Sequence, residues 1–361
     1  MIISQTAREN KGSVTHGKKY QVEMMMMEKC DWTAILETFS DAGIYQTHEY
    51  GEVSKGGSRL THVLLREEGV VVAAAQIRIQ TAHKINRGIA YVFHGPLWRR
   101  WDIKPDAEHL RQILGALKTE FAVNQKLLLR IVPKCYLEDE QNESDVFSGL
   151  EFRKTDSPAY RTVYMDLSKT IDEIRASLSR NWRRHLNRSE KKGLSVREGT
   201  EDQLFEIFEN LYGEMIDRKN FYSPLEVKNF RRMQKKFDAK FKMKIMICED
   251  AKGPVAGIVG TGIGETGIYL LGATSTRGLS SDGSYLLHWE MIKWLKDQGC
   301  RWYDLGGVDP VRNPGGYQFK EGMRGQEINF IGTFEYCENT LSKIIVKSAE
   351  RIKKVTAVAR W

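Results

Sequence analysis

The sequence predicts a mixed α/β protein in which helices flank mixed sheets, arranged as two similar domains in tandem. Three observations lead there. The chain has 361 residues, 41% of them apolar and 28% charged, enough for two compact cores. The succession strand, strand, strand, helix, strand is legible twice, once in each half. Helices with marked start and stop signals lie between the two copies.

The first copy opens with β-rich runs at Thr61–Leu65 and Val70–Ile79 on either side of an Arg66-Glu67-Glu68-Gly69 turn, and Ile89–Phe93 adds a third strand. A helix follows Pro105, with Leu110, Ile113, Leu114, Leu117 and Phe121 at helical spacing, and Leu127–Val132 has the character of a buried strand. In the second copy the hairpin is Met243–Cys248 with Val255–Ile263, and Ile268–Leu271 is the next strand. The helix Tyr285–Asp297, stopped by Gly299, and the strand Trp302–Leu305 complete it. The implied boundaries are 1–162 for the first domain, joined by a C-terminal helix over 335–361, and 163–334 for the second.

Between the copies, Thr170 and Glu173 form a capping box, and Ile171, Ile174, Leu178, Trp182 and Leu186 carry one helix on to Gly193. Thr200 with Gln203 repeats the device ahead of Leu204, Ile207, Phe208, Leu211 and Met215. The segment Asn339–Trp361 reads as an amphipathic basic helix, which either packs on the first domain or touches a membrane surface.

A formal net charge of +8 favours anionic partners such as RNA, anionic lipid headgroups or pyrophosphate-linked substrates. Cys30, Cys135, Cys248, Cys300 and Cys337 are too far apart for a metal or redox pair, and the eight histidines make no His-x-x-x-His spacing or hydrolase triad. We therefore expect no metal and no covalent intermediate. The first twenty residues hold no apolar run of signal-peptide or membrane-spanning length, so a cytoplasmic location is expected.

Two stretches carry candidate chemistry. Arg180, Arg184 and Arg188 recur every four residues along one helix face, a spacing suited to successive phosphates and equally to a solvated face. The block Tyr303-Asp304-Leu305-Gly306-Gly307, followed by Tyr317-Gln318-Phe319-Lys320-Glu321-Gly322, puts glycines after a strand, where backbone passes close to a ligand.

That block resembles the Fem family of aminoacyl-tRNA-dependent peptidoglycan-bridge transferases, with their Tyr-Asp-Leu-Gly-Gly strand end and Phe-Lys-x-Gly sequence. Val163–Ser168, Asn181-Trp182-Arg183-Arg184, Ser189–Gly193 and Gly95-Pro96 are similar to further parts of the family. The resemblance runs from about Gln46 to Phe334. It implies two tandem GNAT-like acyltransferase domains, consistent with the duplicated element order. It also implies attack by a stem-peptide amine on the ester carbonyl of an aminoacyl-tRNA, the co-substrate that takes the place of a cofactor. The acceptor implied is a peptidoglycan precursor, either UDP-MurNAc-pentapeptide or lipid II, and peripheral contact with the inner membrane surface would suit the latter. A monomer is expected.

By the same resemblance Lys320, held on a Gly-rich loop, is the candidate that stabilises the oxyanion, and Arg218 is the candidate for the diphosphate of the precursor. Phe319 and Tyr269 are further substrate-binding candidates. Gln46-Thr47-His48-Glu49-Tyr50 looks like the family's Gln-Ser-x-x-Trp, but Ser54 falls at its substrate-binding lysine, so Lys55 is the substitute. Asp304 is a candidate catalytic carboxylate, and it is also placed to fix the strand end through backbone hydrogen bonds.

Two other readings remain open. A CoA-dependent GNAT N-acyltransferase acting on a cell-envelope sugar would need a pyrophosphate loop, but Arg277–Ser284 lacks that spacing and sets Asp282 where a pyrophosphate would sit. A basic RNA-binding protein without catalysis would show exposed aromatics among its cations.

Overall fold

The computed structural model describes residues 14–16, 19–54, 58–82, 85–134, 143–219 and 227–358. Lys55 lies outside them. Two compact units are present: residues 1–41, 45–158 and 331–361 form the first, and 42–44 with 159–330 the second.

The first unit contains strands β1 (Val14–His16), β2 (Tyr20–Met25), β3 (Arg59–Glu67), β4 (Val70–Thr81), β5 (Gly88–Phe93), β6 (Leu128–Val132) and β7 (Arg153–Lys154). Its helices are α1 (Lys29–Leu36), α2 (His48–Ser54), α3 (Ala107–Leu117) and α4 (Glu143–Gly149). Strands β2 to β5 form an antiparallel meander, after which β6 lies parallel to β5. A parallel neighbour requires a crossover, and α3 supplies it. Asp106 caps α3 by accepting the Glu108 N–H at 2.8 Å. The chain then continues as a π-helical segment over Lys118–Asn124, where the sequence predicts an uninterrupted helix.

The Gln46 motif is structural in this unit. Gln46 is buried, donating Nε2 to Phe93 O at 2.8 Å and accepting the Gln76 N–H on Oε1 at 2.8 Å. Its own carbonyl accepts the Trp32 indole N–H at 2.7 Å. An apolar side chain of the same length leaves two buried backbone groups without partners, so Gln46→Leu is expected to cost about 1–2 kcal/mol, read as a lower urea midpoint at unchanged slope.

The second unit contains β8 (Arg161–Asp166), α5 (Ile171–Ser177), α6 (Arg180–Glu190), β9 (Ser195–Gly199), α7 (Asp202–Lys219) and α8 (Val227–Lys236). There follow β10 (Lys244–Asp250), β11 (Gly253–Ile263), β12 (Thr266–Thr274), α9 (Gly283–Asp297), β13 (Trp302–Asp304), α10 (Pro314–Glu321) and β14 (Gln326–Asn329). Strands β9 to β12 repeat the antiparallel meander, and β13 lies parallel to β12 after the crossover α9, which Gly299 ends at φ +77°. The duplicated order predicted from sequence is present. The outer side of β13 is filled from earlier in the chain by β8, antiparallel to both β13 and β14.

Three local expectations are corrected. The helix expected over Asp172–Lys192 is two helices, because Leu178 is extended (ψ 147°) and Ser179 starts α6, its side chain accepting the Trp182 N–H at 3.2 Å. The break is tertiary: the Ser179 N–H donates to Gly322 O at 2.9 Å instead of to its own helix. Helix α7 begins at Asp202, and the Leu204 and Phe205 N–H groups both bond to Glu201 O, so Thr200 stands before the cap. Finally, Lys320 is carried by a helix and not by a loop. Asn313 caps α10 by accepting the Gly316 N–H at 3.1 Å, and Pro314 occupies its first turn.

After β14 the chain returns to the first sheet as β15 (Phe334–Tyr336), placed between β6 and β7 and antiparallel to both. Phe334 stacks on Phe147 at 4.3 Å in the core. Helix α11 (Thr340–Val358) then packs against β5 and β6. Among the described residues no helix is long and apolar enough to cross a membrane.

Candidate active site

In the second sheet β12 and β13 pair for only three residues, Thr266–Ile268 with Trp302–Asp304. Beyond that point β12 continues with β11 alone, through an irregularity in register between Val259 and Gly260. The parting strands leave an opening at the carboxyl end of β13, the usual place for a ligand in a sheet with parallel strands.

The floor of the opening is the chain after β13. Asp304 accepts the Gly306 N–H at 2.8 Å, and the Thr162 hydroxyl sits between the Asp304 carboxylate and Gly306 O, 2.9 Å from the latter. Asp304 thereby fixes the strand end. Gly306 is left-handed (φ +74°), and a Cβ there would stand 3.1 Å from Tyr269 O and 3.7 Å from Lys320 Nζ, so only glycine brings these groups together.

Lys320 reaches this floor from the last turn of α10. Its Nζ donates to Gly307 O at 2.8 Å and Gly306 O at 3.2 Å, and stands 5.7 Å from the centre of the Tyr269 ring. Burial lowers Lys320 to about 8, opposed by the nearby Asp304 charge, so it remains mostly an ammonium at neutral pH. Two carbonyls take two of its three N–H groups and leave one for a ligand.

An aromatic wall stands behind it. The Phe319 ring is 4.9 Å from Tyr285, 5.1 Å from His288 and 5.9 Å from Trp182. His288 is buried, its Nδ1 3.0 Å from the Tyr303 hydroxyl and its ring 4.6 Å from Tyr269. Burial, helped by the Lys320 charge, drives His288 down to about 3, so it is neutral. Burial likewise pushes Tyr269 up to about 12. His288 is a site residue that the sequence reading missed, and Tyr303, which opens the block singled out above, was given no role. A histidine inside the apolar stripe of α9 is the only local sign of the former.

Helix α6 lies against this wall through Trp182. Arg180 and Arg184 are exposed on it, Arg184 donating to Asn181 Oδ1 at 2.7 Å. Both stand in its first turns, where the helix dipole is positive and cations are unfavourable unless an anion joins them. Arg188 shares their row but is committed elsewhere. With Lys192 (2.9 Å) and His185 Nδ1 (2.8 Å) it converges on Asp282, the left-handed residue (φ 63°) just before α9. Hydrogen bonds from Arg188, Lys192 and His185 hold the Asp282 carboxyl far below the ordinary range against the cost of its burial. An acidic side chain thus stands at the start of α9, where an acyltransferase of the CoA-dependent kind holds a pyrophosphate, with its oxygens turned to α6 and no hydrogen bond to the first N–H groups of α9.

The structure therefore gathers Lys320, Phe319, Tyr269 and Asp304 at one point, with Arg180 and Arg184 on the adjoining helix. Arg218 lies in the last turn of α7, 3.5 Å from the Thr276 hydroxyl. No described contact joins it to Lys320.

Known proteins share this fold. A family model described as an acetyltransferase (GNAT) domain matches residues 176–321. The UDP-N-acetylmuramoylpentapeptide-lysine N(6)-alanyltransferase of Weissella viridescens is 24% identical over 255 residues, covering 67% of this chain and 73% of its own. The crystal structure of FemX superposes with a TM-score of 0.77 at 16% identity over 90% of this chain and 99% of that one. A conserved protein of unknown function from Bacteroides thetaiotaomicron gives 0.58 at 13% identity, over 87% and 98%. The fold is a tandem GNAT fold, and the resemblance drawn from the Tyr303–Gly325 block is borne out.

Proposed function

We propose that this chain, a Fem-type transferase with two GNAT-like domains, moves an amino acid from an aminoacyl-tRNA to the stem-peptide amine of a peptidoglycan precursor. The observation that carries the reading is the desolvated Lys320 ammonium held on the Gly306 and Gly307 carbonyls at the mouth of the parted strands. The acceptor class is that named for the Weissella viridescens relative.

The ester of an aminoacyl-tRNA is already activated, so the protein has to align two substrates and stabilise charge. As the amine nitrogen bonds to the ester carbon, the carbonyl oxygen becomes an oxyanion, and the remaining Lys320 N–H is the donor for it. Collapse breaks the ester C–O bond, the ribose oxygen leaves as the hydroxyl with the proton given up by the amine nitrogen, and an amide remains. Phe319 and Tyr269 wall the reacting centre from water. Arg180 and Arg184 supply the phosphate contacts that the tRNA acceptor end requires, Arg218 is the cation proposed for the diphosphate of the precursor, and Lys55 is a further substrate-binding candidate. The protein works in the cytoplasm, as a monomer and without metal or cofactor. The Asp282 carboxylate at the start of α9 weighs against CoA as the donor, since a pyrophosphate there would meet a like charge.

The test supplies the protein with a pool of charged tRNA and a precursor bearing a free amine, beside acetyl-CoA with the same acceptor. Transfer of the aminoacyl group without consumption of acetyl-CoA is expected. Acetyl transfer alone would replace this reading with the CoA-dependent one, and tRNA binding without transfer would leave a non-catalytic RNA-binding protein.

A further inference from the structure

Helix α11 keeps an apolar row on its outward side. The side turned to the protein mixes polar and apolar groups: Ser342 is buried, donating to Lys126 O at 2.6 Å and accepting the Gly88 N–H at 3.3 Å, Ile345 is half-buried, and two turns beyond Ser342 the partly exposed Glu350 pairs with Arg130. Val346 is the buried apolar side chain between them. The outward side carries Leu341, Ile344 and Ile352, which are 46%, 56% and 63% exposed. A surface helix of a globular protein ordinarily buries such residues.

Beside this apolar row runs a basic one. Lys343, Lys347 and Arg351 are exposed and spaced four apart, and the one carboxylate from 341 to 352, Glu350, is paired with Arg130. Both backbone partners of Ser342 lie within three residues of a further exposed apolar side chain, Ile85 at 50% and Val123 at 38%. Apolar residues edged by cations on one face fit the boundary between headgroups and acyl chains of an anionic bilayer. A nucleic acid would use the cations and leave the isoleucines in water.

We propose that the outward face of α11 docks on an anionic lipid surface, and that the acceptor is accordingly the lipid-linked form of the precursor. The docking stands on the helix alone, whereas the choice of acceptor rests on the proposed transfer reaction.

Co-sedimentation of the full chain with vesicles of phosphatidylcholine, or of phosphatidylcholine enriched in phosphatidylglycerol, tests the docking without any transfer step. Binding to the anionic vesicles only, weakened by salt, is expected. Lys347→Ser is expected to lower that affinity about fivefold, as is typical for one basic residue at such a surface. Ile344→Ser with Ile352→Ser should lower it at least as much; both sites are exposed, so folding is undisturbed. Equal binding to both vesicle types, no binding, or unchanged binding by these variants would overturn the proposal. So would loss of tRNA binding in Lys347→Ser at unchanged lipid binding. Transfer to soluble UDP-MurNAc-pentapeptide reads the reaction separately: the variants should match the parent there and fall about tenfold on lipid-linked acceptor in anionic vesicles. An equal loss on both acceptors would refute the assignment of the lipid-linked form while leaving the reaction standing.

Discussion

Lys320→Ala is expected to lower the rate of aminoacyl transfer by about 10²–10³-fold at saturating substrates, with little change in the KM of either one. The magnitude is that of removing one preorganised donor from an oxyanion, about 2.7–4 kcal/mol in activation free energy. The loss should fall on kcat because the charge that Lys320 meets exists only in the transition state. The side chain ends on two backbone carbonyls and not in the core, so the variant should unfold at nearly the parent's urea concentration.

The pH profile adds an independent sign. With Lys320 lowered to about 8, the ammonium is present below that pH and lost above it, so the rate should decline on the alkaline side with a midpoint near 8. Lys320→Arg keeps a charge that does not titrate in this range. Whatever activity it retains should show no such decline. A Lys320→Ala variant with unchanged kcat would remove the lysine from the chemistry altogether.

The largest effect expected on stability is at Asp282. Asparagine tolerates the left-handed backbone of that position, so Asp282→Asn removes the charge and little else. Removing one partner of a buried ion pair costs about 3–5 kcal/mol, and discounting for Arg188, which is half in water, gives about 2–3 kcal/mol. The pH dependence has a definite direction. The folded state holds this carboxyl below its ordinary value of about 4, so its contribution is complete above that pH and is lost as the pH falls below it. Titration of urea midpoints from neutral to acid pH should show the parent losing an advantage that Asp282→Asn never had. The variant should also be stabilised by sulfate more than the parent, because Arg188, Lys192 and His185 would then face an unfilled seat.

Much of this was legible in the residues. Hydrophobic runs and turn signals place both meanders and both crossover helices, because those elements are set by local periodicity and by Gly69, Gly253 and Gly299. The Tyr303–Gly325 block marks the site for the same reason: a strand end, its glycines and the lysine that meets them lie within one short stretch of sequence. Misreadings arose where distant chain decides. The apolar spacing from Ile171 to Leu186 passes through Leu178 without a break, and only the Gly322 carbonyl, far along the sequence, interrupts the helix there. Gly315-Gly316 argues for a loop, whereas Asn313-Pro314 is a helix start whose cap wins. Arg188 shares the spacing of Arg180 and Arg184, and nothing near it announces that Asp282 takes its charge. His288 and Tyr303 meet only once the crossover has folded back on the sheet.

The placement of β15 has a consequence for the order in which the chain matures at the ribosome. Everything the second unit requires, the short segment 42–44 included, has been translated once Phe330 emerges. The first unit, although begun earlier, still lacks the strand between β6 and β7 and the Phe334 ring that closes over Phe147. Vectorial synthesis ordinarily lets the N-terminal domain finish first. Here the later-translated unit closes before the earlier one, and until β15 emerges the nascent chain keeps the facing edges of β6 and β7 unsealed in its N-terminal half.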